Sequence, residues 1–251
     1  MFCRHGHRVE LTDTGRRLLA TTRRIFSLEA EAAESLRAAA GLLVGQLRIG
    51  SIGPAHVFTQ LLVAFGQRYS EVALSVSLGN SNEVLEGLLA FRSDVAILPQ
   101  MGKDPRFFTV PYGRSRIVLV VGRSHAWAAR KAVRVEELKA QRVVLREVGS
   151  TTRRLFEDAL TKAGVEVRRV LEIESREAVL ETVAAGIGIG VALEGETHPD
   201  SRLHAVRVSD APMMLELDIA CLAERREAPA IKAFFEVARD ILPARARASG
   251  V

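Results

Sequence analysis

A run of hydroxyl side chains beside an arginine is the segment of this sequence best suited to hold an anion. Ser150, Thr151 and Thr152 follow Gly149 and precede Arg153, where a stretch of helix-forming residues begins. Free N–H groups and the positive end of a helix dipole attract negative charge there, and the arginine can add a charge-assisted hydrogen bond to a carboxylate, phosphate or phosphonate. Serine and threonine are also good helix N-caps, so a purely structural role stays open.

Other polar segments lie where a predicted strand meets a predicted helix, which is where open α/β sheets place their ligands. The further candidate ligand contacts are Ser51 and Ile52, Asn80, Ser81 and Asn82, Gln100, and Ser175 with Arg176. Arg176 can equally form an ion pair with Glu172 or another nearby acid.

Enzymatic chemistry finds little support in the sequence. The six histidines show no metal-ligand spacing, and no Gly-x-Ser-x-Gly nucleophile elbow occurs. Asp94 and Asp218 lie in apolar strands without a recognisable paired general acid. The two cysteines, Cys3 and Cys221, indicate neither a disulfide framework nor a zinc site. We therefore expect a non-enzyme with no catalytic residues, no metal and no cofactor.

The composition is that of an ordinary soluble protein. The 251 residues are 48% hydrophobic and 26% charged, which is enough for a sizeable core in more than one lobe. No run approaches the ~18 apolar residues of a membrane span, and the amino terminus lacks the apolar core of a secretory signal. A cytoplasmic protein is the simplest interpretation. The net charge of +5 permits contact with nucleic acid without demonstrating it.

Residues 14–43 are predicted to form one long helix. The segment 14–40 has no proline and only Gly15 as a glycine, is rich in strong helix formers, and follows Thr12 as a suitable N-cap. Its apolar residues recur every seventh position, which is typical of a helix that packs lengthwise on another helix. The predicted dimerisation residues are Leu18, Leu19, Ile25, Phe26, Ala32 and Leu36. The alternative is an amphipathic helix that lies on its own domain.

From Gly45 onward the pattern changes to alternating strands and helices. The first five elements read β-α-β-α-β, which predicts a parallel sheet with helices on its faces. A second set of strands and helices follows, and a last helix closes the chain. We expect an α/β protein of two αβ lobes, lobe I at about 45–115 plus 223–251 and lobe II at about 116–222.

The first nineteen residues carry a family resemblance. The matching residues are Phe2, Arg4, Arg8, Val9, Leu11, Thr12, Gly15, Leu18 and Leu19. Their spacing resembles the end of the winged helix-turn-helix of LysR-type transcription regulators, in which a short basic wing leads through a Leu-Thr-x-x-Gly signature into a linker helix. The long helix and the paired αβ lobes follow in the order of that family, so the resemblance covers essentially all of the chain.

The resemblance implies a domain plan and a function. Residues 1–13 would be the remnant wing, 14–43 the linker and dimerisation helix, and 45–251 an effector-binding domain of the type 2 periplasmic-binding-protein-like fold. A small anionic effector held between the two lobes would control a dimeric or tetrameric assembly on DNA by binding its two states with different affinity. No membrane partner is implied.

The DNA-binding part of the family is represented only by its end. Arg4, His7 and Arg8 of the wing could contact DNA phosphates, which position a protein without reading sequence. A complete family member carries ~60 further residues before the wing, including the helix that enters the major groove. We therefore expect specific DNA binding by this chain alone to be absent or very weak.

Two finer interpretations stay open. The stretches 149–156, 175–179 and 221–226 resemble regulators associated with 2-aminoethylphosphonate catabolism, which implies a phosphonate as effector. The alternative function is a solute-binding protein for transport of a small anion. That alternative predicts a signal peptide and a start at the lobes, whereas this chain shows a heptad helix.

Overall fold

The chain folds as two α/β units, which we describe from a computed structural model. The structure describes residues 1–5, 8–40, 42–53, 56–194, 196 and 200–242. Unit 1 comprises Met1–Gly79, Glu83–Tyr112 and Asp218–Val251, and unit 2 comprises Asn80–Asn82 and Gly113–Leu217. Each unit has its own apolar core.

Unit 1 begins with a hairpin and the predicted long helix. Strands β1 (Phe2–His5) and β2 (Arg8–Leu11) pair antiparallel, and helix α1 runs from Asp13 to Ala39. The Thr12 hydroxyl accepts a hydrogen bond from the Gly15 N–H at 3.1 Å, which confirms the predicted N-cap.

Unit 1 pairs its first three strands after α1 in parallel, as the β-α-β-α-β pattern predicts. Its elements are β3 (Gly45–Ser51), α2 (His56–Arg68), β4 (Val72–Leu78), α3 (Ser81–Leu89), β5 (Val95–Pro99) and, near the end of the chain, α6 (Pro229–Ile241). Strand β3 lies between β4 and β5 and pairs parallel with both. The core includes Val84, Leu88, Phe91, Leu98, Phe107 and Leu222.

Polar and charged residues connect α1 to the rest of unit 1. Glu31 of α1 accepts from Arg225 at 2.9 Å, and Arg225 also donates to Asp94 at 2.7 Å. Arg48 donates to the same aspartate at 2.7 Å and to Ser27 of α1 at 3.2 Å. We call these five residues the anchor cluster. Because Asp94 and Arg225 are only 5% and 6% exposed, the ion pair between these two residues lies out of water.

Unit 2 contains the second set of predicted elements. These are β6 (Phe107–Gly122, its second part), β7 (Ala132–Val133), β8 (Arg142–Arg146), α4 (Thr151–Ala163), β9 (Arg168–Ile173), α5 (Arg176–Ala184), β10 (Gly190–Leu193), β11 (Leu203–Val208) and the first part of β12 (Met213–Leu222). Strands β10 and β11 pair antiparallel with β6, whereas β8 and β9 pair parallel. The core includes Val120, Val144, Val179, Val183 and Leu203.

One strand is much longer than its sequence pattern predicts. The pattern indicates a strand over residues 116–121, whereas β6 starts at Phe107 and includes Pro111 and Gly113. Proline lacks the N–H group that a sheet ladder needs and glycine weakens a strand, so both hide the first part of β6 from a pattern search.

The described residues also bear on the predicted absences. No helix among them is long and apolar enough to cross a membrane. Among the same described residues, no group of three or more His, Cys, Asp or Glu side chains could hold a metal ion.

Candidate functional site

Two of the predicted polar segments meet inside unit 2, at the start of α4. The Thr151 hydroxyl donates to the Ser81 hydroxyl at 2.8 Å, and the hydroxyls of Ser150 and Thr152 lie 2.9 Å apart. Ser150 and Thr151 are only 6% and 9% exposed. Folding therefore brings together residues 70 positions apart, and the group of four hydroxyls is partly buried.

The first turn of α4 keeps backbone donors for a ligand. Ser150 is the N-cap residue, but its side chain makes no capping hydrogen bond to a backbone N–H of the helix. Within the described residues, the N–H groups of Thr152 and Arg153 have no hydrogen-bond acceptor. Helix α5 differs, because the Ser175 hydroxyl accepts from the Ala178 N–H at 3.2 Å. The α4 amino end is thus the one of these two that is open to an anion.

Gly149 allows two amide side chains to approach this turn. Its φ of +105° lies in the region that favours glycine, and an added Cβ would lie 3.1 Å from Asn82 Nδ2 and 3.3 Å from Asn80 Oδ1. Asn80 in turn accepts from the Asn82 N–H at 3.0 Å and its side chain hydrogen-bonds to Glu147. All three residues of the segment Asn80–Asn82 therefore lie next to the start of α4.

Arg153 does not point a free charge at this site. Its guanidinium donates to Glu172 at 2.7 Å, to Glu157 at 3.1 Å and to the Arg146 carbonyl at 2.9 Å. Burial alone would lower the arginine's pKa, but its hydrogen bonds to Glu172 and Glu157 outweigh burial and raise it. The arginine is 7% exposed, and its role here is to fix α4 onto β8 and β9.

A second group of charges lies at the end of β8. Arg146 and Glu147 form a two-point ion pair, with distances of 2.7 Å and 2.9 Å, and each side chain is only 12% exposed. Burial favours the neutral acid, but hydrogen bonds from Arg146 and from the backbone outweigh it, so the pKa of Glu147 is lowered. The Glu147 carbonyl also accepts from the Ser150 N–H at 3.3 Å, which joins this pair to the hydroxyl group.

Arg176 pairs with an acid, as one of its two predicted interpretations requires, but the acid is Glu196. Arg176 Nε lies 3.1 Å from Glu196 Oε1, and Glu196 Oε2 accepts from the Leu193 N–H at 2.9 Å. Burial nevertheless raises the pKa of Glu196, and the charge of Glu177 adds to that rise. We call Arg146, Glu147, Arg176, Glu177 and Glu196 the arginine–glutamate cluster.

The remaining predicted ligand contacts lie in unit 1. The Ser51 hydroxyl is fully buried and bonded to the backbone of Gly53, as donor at 2.9 Å and as acceptor at 3.3 Å. Ile52 packs against the core of unit 1. Gln100 is exposed just after β5. The hydroxyl, amide and arginine candidates described above therefore lie in unit 2, whereas Ser51, Ile52 and Gln100 lie in unit 1.

The sequence carried a signal for the residues that we did not single out. Arg146 and Glu147 end the buried strand β8, and Glu196 lies shortly after the buried strand β10. The ends of buried strands are where α/β sheets collect functional groups, so a search for charges at strand ends would have found all three.

Two cavities lie away from these groups. One, of about 480 Å³ in unit 1, is lined by α1, Phe91 and the anchor cluster. The other, of about 640 Å³ in unit 2, is lined by the later turns of α4 together with Met213 and Met214. Neither includes the hydroxyl group at the start of α4.

The predicted residues of the first forty positions are placed as follows. Arg4 lies in β1 and is exposed, Arg8 lies in β2, and His7 lies outside the described residues. On α1, Leu18, Ile25, Phe26 and Leu36 are 41%, 57%, 66% and 78% exposed, Ala32 is exposed, and Leu19 is half-buried. The apolar face of α1 is therefore uncovered in a single chain.

Comparison with known proteins decides the family. Residues 40–243 match the model of the LysR substrate binding domain. The chain belongs to the LysR family. A curated relative is the HTH-type transcriptional activator CmpR of Synechocystis sp. strain PCC 6803, which is 28% identical over 204 residues. That match covers 77% of this chain and 66% of CmpR, so the chain spans just under two thirds of that relative.

Solved structures agree with the fold of the LysR effector-binding domain. The regulatory domain of Synechocystis CcmR in complex with 2-PG superposes with a TM-score of 0.72 at 23% identity, over 79% of this chain and 97% of that one. The effector binding domain of QuiR in complex with shikimate gives the same TM-score and coverage at 17% identity. These matches confirm the predicted α/β fold, and the family does not favour the alternative of a transport protein.

Proposed function

We propose that this chain is the sensing and oligomerising part of a LysR-type transcription regulator, and that it binds a small organic anion at the start of α4 in unit 2. One observation carries the proposal, namely that α4 has an uncapped amino end beside four hydroxyls, of which those of Ser150 and Thr151 are buried. Uncapped N–H groups and hydroxyl donors together suit a carboxylate, phosphate or phosphonate. The ligand contacts that we propose are Ser81, Ser150, Thr151 and Thr152, with Asn80 and Asn82 beside them.

The ligand class rests on chemistry and on relatives. The similar domains of CcmR and QuiR were solved with 2-PG and with shikimate, both of which are small acids. The resemblance to regulators of 2-aminoethylphosphonate catabolism adds phosphonates to the candidates. Arg153 is left out of the proposed contacts because two glutamates already hold its guanidinium.

Calorimetry with 2-PG, shikimate, inorganic phosphate and 2-aminoethylphosphonate tests the site. We expect at least one acid to bind, and Thr151→Ala to weaken its affinity about tenfold, because it removes the hydroxyl that holds the Ser81 hydroxyl in place as a donor to the anion. The matched control is Thr161→Ala, because Thr161 lies at the far end of the same helix and bonds only to a backbone carbonyl at 2.9 Å. Equal affinities of the two variants, or no binding of any acid, would contradict the proposed site.

The uncovered apolar rows of α1 support dimerisation. Two opposite faces of this helix have different roles, since Ser27 and Glu31 point to unit 1 whereas Leu18, Ile25 and Phe26 stay exposed. A contiguous exposed apolar face marks an interaction surface, and its seven-residue spacing fits a second copy of the same helix.

Light scattering tests the dimer. Ile25→Glu should lower the mass of the assembly, because it places a charge in the apolar row. Ala20→Glu is the control, because Ala20 is exposed and lies seven residues before Ser27, on the side of α1 opposite those rows. If both variants keep the mass of the unmodified protein, α1 is not the dimer contact. We propose further that the oligomer passes the effector signal to DNA, with Arg4 and Arg8 near DNA phosphates.

A further inference from the structure

Glu196 lies where two arginines and three glutamates share a small space. Its carboxylate contacts Arg176 and the Leu193 N–H, and its side chain is 13% exposed. The charges that act on it are Arg176 and Glu177 of α5 and Arg146 of β8. His198, two residues further on, lies outside the described residues.

The charges of the arginine–glutamate cluster do not balance. Arg146 donates two hydrogen bonds to the carboxylate of Glu147. The carboxylate of Glu177 accepts a hydrogen bond from Ser175 at 2.9 Å and is stabilised by the charges of Arg176 and Arg146. Two cations therefore face three carboxylates. An anion arriving from solvent would add to an excess of negative charge that water screens poorly, since Arg146, Glu147, Arg176 and Glu196 are all less than one-fifth exposed.

The cluster is continuous with the proposed effector site. Glu147 connects them, because its carboxylate contacts Arg146 and Asn80 while its carbonyl accepts from Ser150. Arg153 adds a second link by donating to the Arg146 carbonyl at 2.9 Å. The proposed effector site and the cluster are thus joined through Glu147 and Arg146.

We infer that Glu196 is an internal substitute for the acidic group of the effector. Glu196 holds the Arg176 guanidinium until the acidic group of an incoming effector replaces it there. This inference rests on the proposed function. When Glu196 is displaced, its carboxylate takes up a proton from solvent. The cluster therefore gains the negative charge of the ligand and loses that of Glu196. Burial of Glu196 already favours that proton. Binding of an acid is therefore coupled to proton uptake, and its affinity rises as the pH falls.

Glu196→Gln tests the inference, because glutamine has the shape of the protonated acid at every pH. The probes are shikimate and glycolate, whose carboxylates stay ionised above about pH 6. We expect the variant to bind them at least about tenfold more tightly than the unmodified protein at pH 8, and the difference to shrink toward pH 6. The unmodified protein should show a slope of up to about tenfold per pH unit, and the variant almost none.

Two controls separate this effect from others. Glu194→Gln removes a nearby acid whose partners, Arg116 and Arg207, lie outside the cluster, and it should leave the affinity and its slope unchanged. His198→Gln should likewise keep the slope, which excludes titration of that histidine.

Each outcome decides the matter. The inference is overturned if Glu196→Gln binds the probes with equal or lower affinity, or if the variant keeps the pH slope of the affinity. It is also overturned if neither protein binds either probe at up to about 0.1 M, a Kd limit near the weakest affinities worth measuring. Failure of the proposed function looks different, because Thr151→Ala would then leave affinity unchanged whatever Glu196→Gln does. Thermal melting of every variant confirms that it is folded.

Discussion

The anchor cluster of unit 1 and the arginine–glutamate cluster of unit 2 contain the same residue types and behave in opposite ways. Asp94 accepts from two arginines and from the Arg48 N–H at 2.9 Å, so its pKa is lowered although burial opposes that. Glu196 has one arginine and one N–H, and its pKa is raised. A buried acid with every lone pair satisfied is structural, whereas one in a surplus of carboxylates is poised to change partner.

The largest expected difference between the clusters is in stability. Asp94→Asn should reduce the free energy of unfolding by about 3–5 kcal/mol, because it leaves Arg48 and Arg225 without their shared carboxylate. Glu196→Gln should change it by less than about 1 kcal/mol at neutral pH. Denaturant unfolding measures both values. Similar losses in the two variants would remove the contrast.

The pH dependence sharpens the same contrast. The folded-state pKa of Asp94 is below its ordinary value of 3.8, so its contribution is present above that pH and is lost as pH falls through the folded pKa. The folded-state pKa of Glu196 is above its ordinary value of 4.5, so stability falls as pH rises from there through the folded pKa. Glu196→Gln should remove the loss of stability with rising pH and keep the loss of stability at low pH that comes from Asp94. Unfolding at a series of pH values measures both.

The smallest effect concerns the two helix starts. Ser175→Ala removes a cap from α5 and should cost about 1 kcal/mol of unfolding free energy. Ser150→Ala should cost clearly less, because the Ser150 side chain does not cap α4. A larger loss for Ser150→Ala would mean that the α4 amino end depends on that hydroxyl for structure, which would weaken its assignment as a ligand site.

The sequence was sufficient where local chemistry decides. Thr12 caps α1 as predicted, and α4 begins at the hydroxyl run where the sequence indicates a helix start. Gly164, with φ of +66°, ends α4 as glycine commonly ends a helix. These features depend on residues within four positions of each other, which a pattern can show.

A sequence pattern could not predict which residues pair when they are far apart in the sequence. Glu157 is one turn from Arg153 and could have been read as its partner, but Glu172 and Glu196 reach their arginines only through the sheet. The first part of β6 is a strand because its neighbours supply the pairing, despite Pro111. Which arginine is available to a ligand is therefore decided by tertiary structure.

The use of Glu31 in the anchor cluster has a practical consequence for anyone who studies the sensor alone. A protein trimmed to begin at Gly45 would keep Arg48, Asp94 and Arg225 but lose Glu31 and Ser27, leaving two guanidinium groups around one carboxylate. Such a fragment would offer screening libraries an artificial receptor for acids in unit 1. Hits obtained with it should be repeated on a protein that keeps the whole of α1.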